Sequence, residues 1–138
     1  MDQVPLPLGY TLCRFEVVSS TMDEAWLLAQ QNFPHRTLVI SKRQTNARGR
    51  RGRTWFSPEG NLSLSLILRP RIQTTDCFAY AFMIALAMGK ALNAFLPSGD
   101  TINYKWPNDL YLGNAKLGGV LVEAKSQGHQ LEALVCGN

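Results

Sequence analysis

The sequence predicts an α+β fold with a mixed or antiparallel sheet, on three observations. Two segments carry a helical apolar period, near residues 21–31 and 74–96. A larger number of short segments read as strands, some joined by tight turn signals, and no internal repeat or linker divides the 138 residues. With 46% hydrophobic residues the chain can bury one real core, so residues 1–138 are read as a single domain.

The elements follow in order. After a prolyl lead-in at Pro5, Pro7 and Gly9, "TLCRFEVV" (Thr11 to Val18) alternates as a strand does. In "SSTMDEAWLLAQQ", Thr21 with Glu24 three residues on fits a capping box, and Met22, Ala25, Trp26 and Ala29 form an apolar stripe. A helix therefore starts at Thr21, which caps it, and Ser20 is left freer. Pro34 ends that helix, and "TLVISK" (Thr37 to Lys42) reads as a buried strand. From Arg43 to Gly60 no period is visible, so a long loop is expected there. "NLSLSLIL" (Asn61 to Leu68) alternates strictly and Pro70 closes it. "TTDCFAYAFMIALAMGKALNAFL" is a helix of about five turns, capped near Thr75 and apolar nearly all round, which places it at the centre of the domain. Beyond Pro97 the chain turns to β structure: "TINYKW", "DLYL", a turn at Gly113-Asn114, "KLGGVLVEAK", a turn at Gln127-Gly128, and "QLEALVC".

Composition removes several function classes. The formal charge is +4, but Arg48, Arg50, Arg51 and Arg53 supply four of the fourteen basic residues, and the remainder balances at ten against ten. The positive charge is a local device, which argues against a broad nucleic-acid or membrane-binding face. Cys13, Cys77 and Cys136 are odd in number and widely spaced, against both a disulfide framework and a zinc site, and fit reduced thiols in a cytosol. The N-terminus has no signal-peptide pattern. The apolar run Phe78 to Met88 falls short of the roughly 18 to 20 residues that span a bilayer.

Four clusters carry chemistry. "NARGRRGRTWF" places four guanidinium groups on glycine-containing chain without a local counter-charge, so the segment is expected to be mobile until an anion orders it; a solvated basic loop is the plainer account. Trp55 and Phe56 offer a surface on which a purine can stack. In "YKWPNDLYL", Lys105 stands between Tyr104 and Trp106, aimed at an anion or at an exposed sheet edge, while Asn108 and Asp109 are turn formers. Gly118 and Gly119 interrupt a strand, for a close approach or for a bulge. In "SSTM" the hydroxyls either cap a helix or bind a ligand's polar group. His35 and His129 lie in turn-like contexts, and no nucleophile with an adjacent base is evident. That favours phosphoryl or nucleotidyl transfer, where positioning and positive charge suffice, over covalent hydrolysis.

Taken in order and spacing, "SST", "Q-x-x-x-R-G-R-R-G-R-x-W-F-S-P", "KWPND" and "KLGGVLVE" resemble the catalytic domain of biotin protein ligases, from about Val17 onward. The resemblance implies a mixed, largely antiparallel sheet with helices packed mainly on one side. It also implies a two-step reaction in which biotin and MgATP give biotinyl-5′-AMP, and a lysine of a biotin carboxyl carrier protein of acetyl-CoA carboxylase then takes the biotin. Under it Lys105, Arg48 and Arg50 are catalytic. Ser20, Thr21, Met22, Gln44, Arg48, Gly49, Arg50, Lys105 and Gly118 contact biotin, and Arg50, Arg51, Arg53, Trp55 and Asn108 contact ATP or the adenylate. Mg2+ is carried by ATP rather than by a protein cage. The expected partners are biotin, ATP and the carrier protein, with no nucleic acid and no membrane, in the cytoplasm, and with a homodimer left open.

Three departures from the family pattern stand out. Ala47 replaces a frequent glycine, Met22 a common asparagine, and the chain stops at Asn138 where a G-x-G-x-N segment is expected. The domain is therefore expected to be incomplete at its C-terminus, without an N-terminal helix-turn-helix domain or a C-terminal small domain. A lipoate or octanoate transferase-like protein is the alternative on the same fold, though such proteins lack the arginine loop. A nucleic-acid module using Arg48 to Arg53 is the alternative from another class.

Overall fold

The computed structural model describes residues 5–138. Eight strands and two α-helices are present among the described residues: β1 (Thr11–Val18), α1 (Thr21–Gln30), β2 (Thr37–Gln44), β3 (Ser63–Leu68), α2 (Cys77–Asn93), β4 (Ile102–Lys105), β5 (Asp109–Leu112), β6 (Ala115–Gly119), β7 (Leu121–Gln127) and β8 (Gln130–Gly137). They form a five-stranded sheet in the order β1-β2-β3-β8-β7 and a three-stranded sheet, β4-β5-β6. Only β1 and β2 run parallel, joined through α1, so the fold is α+β with a mixed, largely antiparallel sheet, as expected.

Alternation along the strands decides where the helices sit. Val39, Ile67 and Val135 pack against Met22, Ala25 and Ala29 of α1. Their neighbours Leu68, Leu134 and Cys136 pack against Cys77, Tyr80 and Ile84 on the α2 side. Successive strand residues point to opposite faces, so the two helices flank the five-stranded sheet rather than share one side of it. Farther along, Ala85, Met88 and Leu92 of α2 pack on Ile102, Leu110 and Val120 and so tie the small sheet to the large one. Burial pushes the Cys136 thiol up to about 12, which keeps it protonated and inert at neutral pH.

Several local expectations are corrected. Ser20, not Thr21, caps α1: its Oγ accepts the Met22 N–H at 3.2 Å, and its carbonyl accepts the Glu24 N–H. Helix α2 follows a 3-10 turn, Thr74–Asp76, with no side-chain cap at Asp76, so there is no cap at Thr75. It is not central either. Only Cys77, Ala85 and Gly89 are buried, and Phe78, Phe82 and Met83 are 54%, 40% and 56% exposed. The helical stretch Thr74–Asn93 is longer than the apolar run read from sequence, and by length and composition alone it could cross a membrane. Here it lies along two sheets. "KLGGVLVEAK" is not one strand: it breaks at Val120, with β6 in the small sheet and β7 in the large one. Leu117 is the extra residue of a bulge against Leu110 and Tyr111, immediately before the glycine pair. The Gly113-Asn114 turn is as expected, whereas the second turn is centred one residue later, on Gly128 and His129.

Candidate active site

The strand ends converge on one place. In the parallel pair, Val18 and Gln44 stand side by side where β1 and β2 end, and the chain enters α1 through Ser20. β8 ends there too, with Gly137 between Ser65 and Leu121. The turn from β4 to β5 faces these ends, and between them lies a cleft of about 500 Å3. Ser20, Met22 and Gln44 line one wall, Lys105 to Asp109 with Lys116 line the other, and the chain from Ala47 to Trp55 borders both.

The first wall is a closed hydrogen-bond network. Gln44 Oε1 accepts from the Thr21 N–H at 2.7 Å and from its hydroxyl at 3.1 Å, while Gln44 Nε2 donates to Ser57 Oγ at 3.2 Å. Ser57 meets Ser63 at 2.7 Å, and Ser65 donates to Thr21 Oγ1 at 2.9 Å. Thr21 is fully buried and does not line the cleft, so its hydroxyl fixes the frame that carries Ser20 and Gln44. Among the described residues, no buried side-chain nitrogen or oxygen lacks a partner.

The arginine segment is more ordered than its composition suggests. Arg48 and Thr54 form an isolated antiparallel bridge, the Gly49 N–H donates to the Arg53 carbonyl at 2.7 Å, and the Trp55 N–H donates to the Ala47 carbonyl at 3.0 Å. Arg51 and Gly52 both take positive φ, 58° and 70°, to make the tip. Ala47 is buried, so the methyl that replaces the usual glycine is accommodated inside the loop base. The missing counter-charge comes from afar. Arg48 Nη1 meets Asp23 at 2.6 Å, and its Nε and Nη2 meet the two oxygens of Glu123 at 3.1 and 3.2 Å. The hydrogen bond to Glu123 foremost holds this guanidinium more firmly protonated, with Asp23 adding to it, against the opposing effect of burial. Arg50, Arg51 and Arg53 are exposed, and none of them pairs with a carboxylate among the described residues.

Across the cleft, Lys105 is exposed and has no carboxylate partner among the described residues; its ammonium lies 5.8 Å from the centre of the Tyr111 ring. Of its aromatic neighbours, Tyr104 turns away and donates to the Leu86 carbonyl of α2, while Trp106 borders the cleft and packs on Phe78 and Phe82. Asn108 is a turn residue and more. Its Oδ1 accepts from Arg50 at 3.4 Å, and its Nδ2 donates to the Val120 carbonyl at 2.7 Å. Trp55 borders the cleft, while Phe56 is 84% exposed and does not. Gly119 also lines the cleft and Gly118 does not; a Cβ on Gly119 would stand 3.0 Å from Asp109 Oδ1. Three further polar residues at the site are given no role by the sequence, although "KLGGVLVE" begins at Lys116 and ends at Glu123. Lys116 pairs with Asp109 at 2.9 Å and stands over Trp55 at 5.2 Å, and Asp23 and Glu123 hold Arg48. Lys116 follows the Gly113-Asn114 turn by two residues, opposite Tyr111.

The sequence profile of the Biotin/lipoate A/B protein ligase family matches residues 14–138, and the chain belongs to this family. Over 131 residues it is 35% identical to the bifunctional ligase/repressor BirA of Bacillus spizizenii, covering 94% of this chain and 40% of that protein. Over 99 residues it is 35% identical to the biotin–acetyl-CoA-carboxylase ligase of Paracoccus denitrificans, covering 72% and 41%. The structure of the Helicobacter pylori biotin acetyl coenzyme A carboxylase synthetase with bound biotinylated ATP superposes with a TM-score of 0.72 at 27% identity, over 94% of this chain and 59% of that one. The chain thus spans about two fifths of the length of these two curated relatives.

Proposed function

We propose that the chain is the core of a biotin protein ligase catalytic domain. The observation that carries this is the cleft itself: a buried, fully satisfied polar wall faces a set of cations that no carboxylate neutralises. Joining a carboxylate to a nucleoside triphosphate brings like charges together, and Lys105 with Arg50, Arg51 and Arg53 supplies what that approach needs. In the first step a biotin carboxylate oxygen attacks the α-phosphorus of ATP, the bond to the bridging oxygen breaks, and pyrophosphate leaves. In the second, a lysine amine of a carrier protein attacks the acyl carbon, loses a proton, and AMP departs. Ser20, Met22 and Gln44 shape the biotin end, and Lys105 sits where the carboxylate and α-phosphate meet. Trp55, Asn108 and the arginines form the nucleotide end. Mg2+ is proposed to arrive on ATP. The proposed setting is the cytoplasm and the proposed acceptor a biotin carboxyl carrier protein.

Thermal shift tests the reading. Biotin with MgATP should raise the melting temperature more than either alone, in proportion to affinity, while lipoate with MgATP and duplex DNA should leave it unchanged. Stabilisation by DNA or by lipoate alone would overturn the proposal. Sedimentation of the same samples reads whether the protein is a homodimer.

A further inference from the structure

Resting on the ligase reading, we propose that Glu123, at the start of β7, is a positioning residue for the arginine segment: with Asp23 it latches Arg48 to the large sheet, and so sets the loop whose remaining arginines meet the anionic reactants.

The geometry of one guanidinium carries this. Arg48 has five N–H donors in a fixed plane. Nε and Nη2 form the two-point pair with Glu123 at 3.1 and 3.2 Å, and Nη1 reaches both Asp23 at 2.6 Å and the Ser20 hydroxyl at 3.3 Å. Four of the five donors are thereby spent on the protein, so Arg48 has little left to offer a substrate anion. Glu123 is itself held from behind, because Trp26 Nε1 of α1 donates to its Oε2 at 2.7 Å. Arg48 and Glu123 are about one third exposed and Asp23 is 43% exposed, so solvent screens the Glu123 pair only in part and the Asp23 pair more. The latch joins three places far apart in sequence: the first turn of α1, the base of the arginine loop and the start of strand β7. It differs in kind from Arg50, Arg51 and Arg53, which are exposed and without carboxylates. Arg48 thus acts through the loop, not on the reacting atoms.

Glu123→Gln keeps the side chain's size and can still accept from Trp26, but it loses the charged fork. In the intact protein, trypsin should cleave at Arg50, Arg51 and Arg53 about tenfold faster in this variant. KM for biotin in adenylate formation should rise about tenfold while kcat stays within about threefold, the pattern for lost alignment of a binding loop. Arg48→Lys should do the same, and the double variant should be no worse than either single one, since both break one pair. A KM and cleavage rate equal to the parent's, or effects that multiply in the double variant, would overturn the latch. If Glu123→Gln fails to melt cooperatively, Asp23→Asn reads the latch from its other carboxylate with the same expected and contrary outcomes. The cleavage rate needs no activity. Faster cleavage in a protein that neither binds biotin nor releases pyrophosphate would leave the latch standing and remove the ligase reading.

Discussion

The two walls of the cleft solve opposite problems. On the α1 and β2 side, Ser20, Thr21, Gln44, Ser57, Ser63 and Ser65 are all buried and hydrogen-bonded to one another or to the backbone. On the β4 to β6 side and along the arginine tip, Lys105, Arg50, Arg51 and Arg53 are exposed cations that pair with no carboxylate among the described residues. A satisfied buried network is rigid and fixes shape, since any member that moves leaves a costly unpaired group. Exposed like charges repel one another and gain most when an anion arrives. One wall is therefore built before the ligand binds, and the other is completed by it. Substitutions on the first should be felt in stability, and on the second in rate.

Lys105→Ala should break the comparison most visibly. Removing one electrostatic contact to charge that accumulates in a transition state costs about 3 kcal/mol, or about a hundredfold in rate. Because Lys105 is exposed, the melting temperature should hardly move. Pyrophosphate release measured beside a melting curve checks both halves. A variant that melts early with unimpaired release would invert the assignment of the walls.

Gly137→Ala tests the rigid side. An added Cβ would stand 2.5 Å from Ser65 Oγ and 2.6 Å from Met22 Sδ, both in the built wall, so something must shift. Overpacking of this kind costs roughly 1–3 kcal/mol. Urea denaturation should show that loss, and an unchanged midpoint would mean the wall is looser than its hydrogen bonds imply.

What the sequence makes legible follows the same division. The alternation in Ser63–Leu68 and the period of α1 report local burial, so those elements can be placed from composition and spacing. The capping residue is a different matter. The capping-box pattern fits Thr21 with Glu24, but the Thr21 hydroxyl is claimed by Gln44 and Ser65, 23 and 44 residues away, and the cap falls to Ser20. The apolar surface of α2 predicts a central helix, yet it packs along two sheets and leaves Phe78 and Met83 exposed. The arginine motif is visible in sequence because charge density and glycine are local properties, and its arginines line the cleft. That Arg48 is already paired rests on Glu123, 75 residues on, and no local pattern encodes it.

Ser20→Ala sharpens the boundary between the walls, because this residue belongs to both descriptions. It is the N-cap of α1 and one of the acceptors of Arg48. Loss of a Ser cap costs about 1 kcal/mol, less for glycine, which keeps the backbone conformation accessible. Ser20→Ala should lose about that much in urea denaturation and Ser20→Gly only a few tenths. Equal losses for the two would show that the Arg48 contact, not the cap, is what Ser20 supplies.

Lys116→Met carries the smallest expected effect and separates the two kinds of cation on the second wall. Unlike Lys105, Lys116 has a carboxylate partner, Asp109 at 2.9 Å, and it covers the Trp55 ring at 5.2 Å. Its ammonium therefore competes with any base that would stack on Trp55, and also keeps Asp109 from repelling phosphate. Partly exposed ion pairs contribute about 0.2–1 kcal/mol and cation–π contacts at such sites about 0.5–1 kcal/mol, and because one ammonium makes both contacts they do not simply add, so stability should fall by about 1 kcal/mol. Freed from the ammonium, Asp109 is left as an unpaired negative charge beside the cleft, and KM for ATP should rise a few-fold while KM for biotin stays put. Steady-state kinetics with each substrate varied in turn reads this. A fall in KM for ATP would show that uncovering Trp55 matters more than exposing Asp109, and would move Lys116 from helper to obstacle.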